Sequence, residues 1–108
     1  MARAARRYDF YLPLTFNDGS RVPREKFTDL ERRLLARFRG ATALRPDAPL
    51  RGLWQSESEL YIDEVIIVTA LDFRRGGSQR FIAELKRELL REFEQLEILI
   101  TETSLRVH

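Results

Sequence analysis

The chain has 108 residues, 44% hydrophobic and 33% charged, with a formal net charge of +2. That is the length of one domain with one core, and the composition of an ordinary globular protein. It has no cysteine and one histidine, the terminal His108, which excludes disulfides, thiolate catalysis and cysteine-ligated metal centres, and leaves histidine chemistry only at a chain end.

Residues 1–51 carry 12 Lys/Arg against 6 Asp/Glu, a net +6, and residues 52–108 carry 7 against 11, a net −4. Such a split can steer self-association or turn a basic face toward a polyanion. No run approaches the roughly 20 apolar residues of a membrane span. Residues 1–7 are basic and pass into Tyr8-Asp9 without an apolar leader core, so the expected compartment is the cytoplasm.

Residues 1–7 read as a disordered basic arm ahead of a single domain at 8–108. From Tyr8 to Phe16 the residues alternate, with Tyr8, Phe10, Leu12, Leu14 and Phe16 on one side, which predicts a strand with one face in the core. Pro13 interrupts it, and a proline suits a strand only where a neighbouring strand has ended or bulged. Asn17-Asp-Gly-Ser20 is turn chemistry. A helix then opens at Pro23, buries Phe27, Leu30, Leu34 and Phe38 along one stripe, pairs Asp29 with Arg33 on its outer side, and stops at Gly40.

A short strand over Ala41–Arg45 is broken by Pro46 and Pro49. Segments 50–55 and 60–71 pair as a hairpin around Ser56–Glu59. The second of these, Tyr61 to Leu71, is apolar on both of its faces: Val65, Ile67 and Leu71 on one, and Ile62, Ile66, Val68 and Ala70 on the other. It therefore needs cover on both sides. Arg74-Arg-Gly-Gly77 leads to Ser78 as the N-cap of a second helix with the stripe Ile82, Leu85, Leu89, Phe93, and Leu96–Val107 closes as a last strand.

The two helical stripes share one pattern at an offset of 55 residues, each flanked by strands. Two β-α-β units predict an α+β, ferredoxin-like βαββαβ domain, a four-stranded antiparallel sheet with two helices on one face. Two helices cover one face only. The other, assigned to Ile62, Ile66 and Val68, is expected to be an interface in a homodimer or higher homo-oligomer, because leaving each of these side chains in water forfeits about 1.5–3 kcal/mol.

The site candidates are modest. Asp63 and Glu64 are adjacent on a strand and point to opposite faces, so they do not pair in acid/base work. Glu64 with Arg51 on the hairpin, Trp54 beside Gly52, and Tyr11 are the candidate ligand-binding set. Arg74, Arg75, Ser78 and Arg80 at the second helix start are a candidate anion site, without the lysine and hydroxyl of a phosphate loop. No catalytic constellation, metal set or cofactor motif stands out. The aromatic signature of a standard RNA-recognition sheet is absent as well.

The elements Arg37-Phe38-x-Gly40-x-Thr42, Gly52-x-Trp54, Glu64 before the apolar strand and Phe93-x-Gln95-x-x-Ile98 resemble an uncharacterised family of small bacterial ferredoxin-like α+β proteins. That resemblance implies the same fold and carries no activity or site residue. The leading expectation is a self-associating, non-enzymatic accessory or regulatory module. The alternatives are an enzyme or small-molecule binder of the dimeric α+β barrel kind with a polar cavity around Trp54 and Glu64, and a weak nucleic-acid or polyanion binder using Arg3, Arg6, Arg7 and the 74–80 loop.

Overall fold

The alternating first stretch is a strand, and its pairing decides how everything else is placed. The structure is a computed structural model that describes residues 2–38, 41–43, 50–55 and 60–108, with the backbone alone for 41–43, 50–55 and 60–63. In chain order the elements are β1 (Arg3–Pro13), α1 (Arg24–Phe38), β2 (Ala41–Ala43), β3 (Leu50–Gln55), β4 (Leu60–Asp72), α2 (Gln79–Glu92) and β5 (Leu99–Val107). This is an α+β architecture, two helices with an antiparallel sheet, as expected. The pairing path runs β2-β4-β1-β5, with β3 also paired to β4. Where four strands were expected, the sheet is therefore built from five paired segments. Val65 pairs both with Pro13 of β1 and with Leu50 of β3, so β3 lies along the edge of β4 away from β1. Ala43 faces Val68 on that same edge.

Partners across an antiparallel pair share a face. Tyr8, Phe10 and Leu12 stand opposite Ala70, Val68 and Ile66, and all six are buried in one core cluster. The helices cover this face. Phe38 of α1 stacks on Tyr8 with ring centroids 5.8 Å apart, and Phe27 of α1 meets Phe93, just past α2, edge-on at 5.4 Å. The predicted stripes are the ones used: Phe27, Leu30, Leu34 and Phe38 are buried on α1, with Leu85, Leu89 and Phe93 at α2, while Ile82 is half-buried against the same core. Among the described residues no helix is long and apolar enough to cross a membrane.

The expected interface is corrected by this geometry. Ile66 and Val68 are 1% and 0% exposed beneath the chain's own helices, so they are core residues, and the side chain of Ile62 lies outside the described residues. The open face carries Val65, Ile67 and Leu71 instead. The physical reason is Thr69. Its hydroxyl donates to Asp9 Oδ1 at 2.6 Å, and Asp9 Oδ2 meets Arg7 Nε at 3.1 Å. A face with this ionic cluster at its centre is costly to bury under helices, whereas Ile66, Val68 and Ala70 run unbroken.

Three further expectations change. Residues 3–7 are not a loose arm: they are strand, paired from Arg3 opposite Val107 to Arg7 opposite Thr103. Arg33 does not pair with Asp29 along α1 but crosses to α2, reaching Glu88 at 2.7 Å and Glu92 at 2.8 Å, while Asp29 takes Arg32. Pro13 finds the first of its two expected solutions. Leu14 N–H donates to the Glu64 carbonyl, so the Pro13 nitrogen faces the β5 side, where pairing has already ended at Tyr11 and Leu99. The stop at Gly40, the break at Pro46–Pro49 and the turn at Ser56–Glu59 fall outside the described residues.

Candidate functional site

Two chain reversals meet beside the N-terminal half of β4. After β1, residues 17–20 turn tightly: Gly19 takes φ 89°, and Asp18 Oδ1 accepts from the Ser20 N–H at 2.9 Å and the Ser20 hydroxyl at 2.5 Å. Those bonds, the hydroxyl first, hold the Asp18 carboxyl below its usual range. At the other reversal α2 closes with Glu94 at φ 52°. There Gln95 N–H returns to the Leu90 carbonyl and Glu94 N–H to the Arg91 carbonyl, the paired bonds of a Schellman ending.

These turns lock two amides together. Gln95 Nε2 donates to Asn17 Oδ1 at 3.4 Å and to the Phe93 carbonyl at 3.0 Å, and Asn17 Nδ2 donates to the Glu94 carbonyl at 3.3 Å. With Thr15, Phe16 and the exposed Glu64 of β4 they line a cleft of about 260 Å³. A carboxylate, two fixed amides and an aromatic ring suit a small polar ligand carrying positive charge and a heterocycle edge.

The expected ligand-binding set is only partly placed here. Arg51 is the Cα partner of Glu64, and Trp54 of Tyr61, but the side chains of Arg51 and Trp54 lie outside the described residues. Tyr11 does not join Glu64. It pairs with Ile67, and residues 64 and 67 stand on opposite faces of the strand. The sequence reading missed Asn17 and Gln95, since an amide after a strand and another after a helix become neighbours only through the closed turns.

At the far end of β4 sits the loop expected to bind anions. Asp72, 1% exposed, accepts the Arg74 N–H at 2.9 Å on Oδ1 and the Ser78 hydroxyl at 2.8 Å on Oδ2. Ser78 stands at the N-cap position of α2 but makes no side-chain cap bond. Its hydroxyl is committed to the chain's own carboxylate, with Arg37 Nη2 donating to it at 3.4 Å. Arg80 pairs outward with Glu84 at 3.5 Å. The set Arg74, Arg75, Ser78 and Arg80 is therefore not gathered into one site. Arg74 and Arg75 instead share a cleft with Arg3 and Arg6 of β1.

Nearby, the Tyr8 hydroxyl donates to Glu102 Oε1 at 2.6 Å. Burial first, then the bonded Glu102 carboxylate, push its pKa up to about 12. Neither Asp72 nor the Tyr8–Glu102 pair was legible as a site. An aspartate two residues before a turning backbone is the signal that Asp72 would have offered.

No protein-family model and no curated protein matches the chain. Among solved structures the fold is similar to that of a phage SAM lyase in complex with S-methyl-5′-thioadenosine, with a TM-score of 0.65 at 14% identity, over 95% of this chain and 88% of that one. At that identity the likeness is one of fold. It nonetheless corrects the leading expectation of a non-enzymatic accessory module, which rested on the strand apolar on both faces and on the lack of a nucleophile, base or metal constellation. A lyase is built on a similar fold.

Proposed function

We propose that the chain is an enzyme that takes S-adenosylmethionine and releases S-methyl-5′-thioadenosine, binding the adenosyl group in the cleft of Glu64, Asn17 and Gln95. Its scaffold is read as a ferredoxin-like βαββαβ domain, β2 and β3 being two pieces of one strand along an edge of β4. The observation that carries this reading is the match of fold, across nearly the whole chain, to a lyase holding that thioether. The composition supports it. The step balances with the substrate's own groups: its carboxylate oxygen bonds to the γ-carbon as the carbon–sulfur bond breaks, the electrons of that bond go to sulfur, and a lactone and a neutral thioether are released, so neither an acid nor a protein nucleophile is required of a chain without cysteine and with histidine only at its end. Glu64 supplies the negative charge that faces the sulfonium, and the amides read the heterocycle. Calorimetric titration tests the assignment. Glu64→Gln should weaken binding of S-adenosylmethionine about two- to fivefold, the worth of an exposed ion pair, while leaving the neutral thioether nearly unchanged. Equal effects on both ligands, or no binding of either by the unaltered protein, would refute it.

We further propose that copies associate through the open sheet face. Ile67, Tyr11 and Leu99 form one row across β4, β1 and β5, and Leu99 is 49% exposed. Ile67→Glu should convert an oligomer to a monomer in sedimentation at tens of micromolar. A monomeric unaltered protein would end this reading.

A further inference from the structure

The first seven residues and the loop after β4 hold basic residues that lie far apart in the chain. Pairing of β1 with β4 sets Arg6 opposite Asp72 and brings the two segments to one end of the sheet. There Arg3, Arg6, Arg74 and Arg75 line a cleft of about 570 Å³ floored by Phe73 and Asp72. Arg3 is held in place, its guanidinium 4.3 Å from the centre of the Phe73 ring. Arg6 reaches toward the loop, its Nη1 standing 3.1 Å from where a Cβ on Gly77 would lie, beside the Gln79 amide. Arg74 is fixed by donating from Nη2 to the Arg37 carbonyl at 3.0 Å.

Counter-charge is scarce. Asp72 is buried and already accepts from the Arg74 N–H and the Ser78 hydroxyl. Glu102 lies 3.8 Å from Arg6 and also takes the Tyr8 hydroxyl. Among the described residues Arg3, Arg74 and Arg75 have no ion pair. Several guanidinium groups converging on one open cleft, at least two of them positioned by the fold, form an arrangement suited to a compact oxyanion with several charges, since each planar fork can bind two oxygens of a phosphate.

We propose that this cleft is a second binding site, for a compact polyphosphate such as the di- or triphosphate group of a nucleotide. It is separate from the Glu64 cleft, because residues 64 and 72 are eight residues apart along β4, roughly 26 Å. Convergence in one cleft favours a compact ligand over a nucleic-acid backbone, which needs a basic groove several nucleotides long.

The test is calorimetric titration of the full chain with tripolyphosphate, ATP and a single-stranded oligonucleotide, at two salt concentrations. Saturable one-to-one binding of tripolyphosphate is expected. The double variant Arg74→Gln/Arg75→Gln, both exposed loop positions, should weaken it about tenfold or more, and Arg80→Gln should leave it unchanged. Binding of ATP as tight as that of tripolyphosphate identifies a nucleotide's phosphate group as a source, and ATP failing to bind identifies free polyphosphate. Glu64→Gln should have no effect, which separates this site from the one proposed above. No saturable binding, equal loss in Arg80→Gln, or binding of the oligonucleotide alone would overturn the assignment.

Discussion

Asp72 is the residue on which the end of β4 depends. It is buried, and each of its oxygens accepts one bond that fixes a different part of the following loop, the Arg74 backbone and the Ser78 side chain. Hydrogen bonds to a charged group contribute about 1.5–3 kcal/mol each, and removing the acceptor also strands its donors. Asp72→Ala should therefore cost about 3 kcal/mol in urea unfolding, and Ser78→Ala about 1 kcal/mol. A loss under 1 kcal/mol for Asp72→Ala would show that the loop is held by something else. Tyr8 gives a prediction in pH. The fold favours its neutral form, raising the pKa from the ordinary 10.0 to about 12, so its contribution is whole below pH 10 and lost as pH climbs toward about 12. Unfolding midpoints measured over that window should fall more steeply for the unaltered protein than for Tyr8→Phe. Parallel curves would contradict the assignment.

Between the elements, apolar burial outweighs charge. Arg33 clamps α1 to α2 through Glu88 and Glu92, yet these side chains are partly in water, where such bridges are worth about 1 kcal/mol or less. Leu89, fully buried on α2, should cost about 2–5 kcal/mol when cut to alanine. Glu94 invites the opposite change: it holds a left-handed φ of 52° at the end of α2, so Glu94→Gly should raise stability by about 0.5–1 kcal/mol. Chemical denaturation of Arg33→Ala, Leu89→Ala and Glu94→Gly checks the order.

What could be read beforehand follows the same division. The helical stripes and the β1 alternation were legible because periodicity is local, and the α+β class followed from them. Which face of β4 is covered was not, because a strand apolar on both sides names neither. The decision lay in the register that sets Phe10 against Val68 and Thr69 against Asp9. Thr69 was the one available clue, a polar break in the face that proved open. Of the site, Glu64 was singled out from its strand position, whereas Asn17 and Gln95 depend on how two distant turns close.

At the scale of the whole molecule, β4 is an axis with a different chemistry at each end: a carboxylate with two amides near its start, and converging guanidinium groups around its finish. The positive balance of the first half of the chain and the negative balance of the second do not map onto these two ends, since β1 brings its arginines to the Arg74-Arg75 loop of the second half. Incubation with S-adenosylmethionine, followed by mass spectrometry of the small molecules, tests the central claim most directly. The account predicts one S-methyl-5′-thioadenosine formed for each sulfonium lost, with Glu64→Gln needing about two- to fivefold more S-adenosylmethionine for half-maximal rate, because the carboxylate faces a positive charge that fades as the carbon–sulfur bond breaks and so serves binding more than the step itself. A sulfonium left intact by the unaltered protein, with no thioether formed, would contradict it.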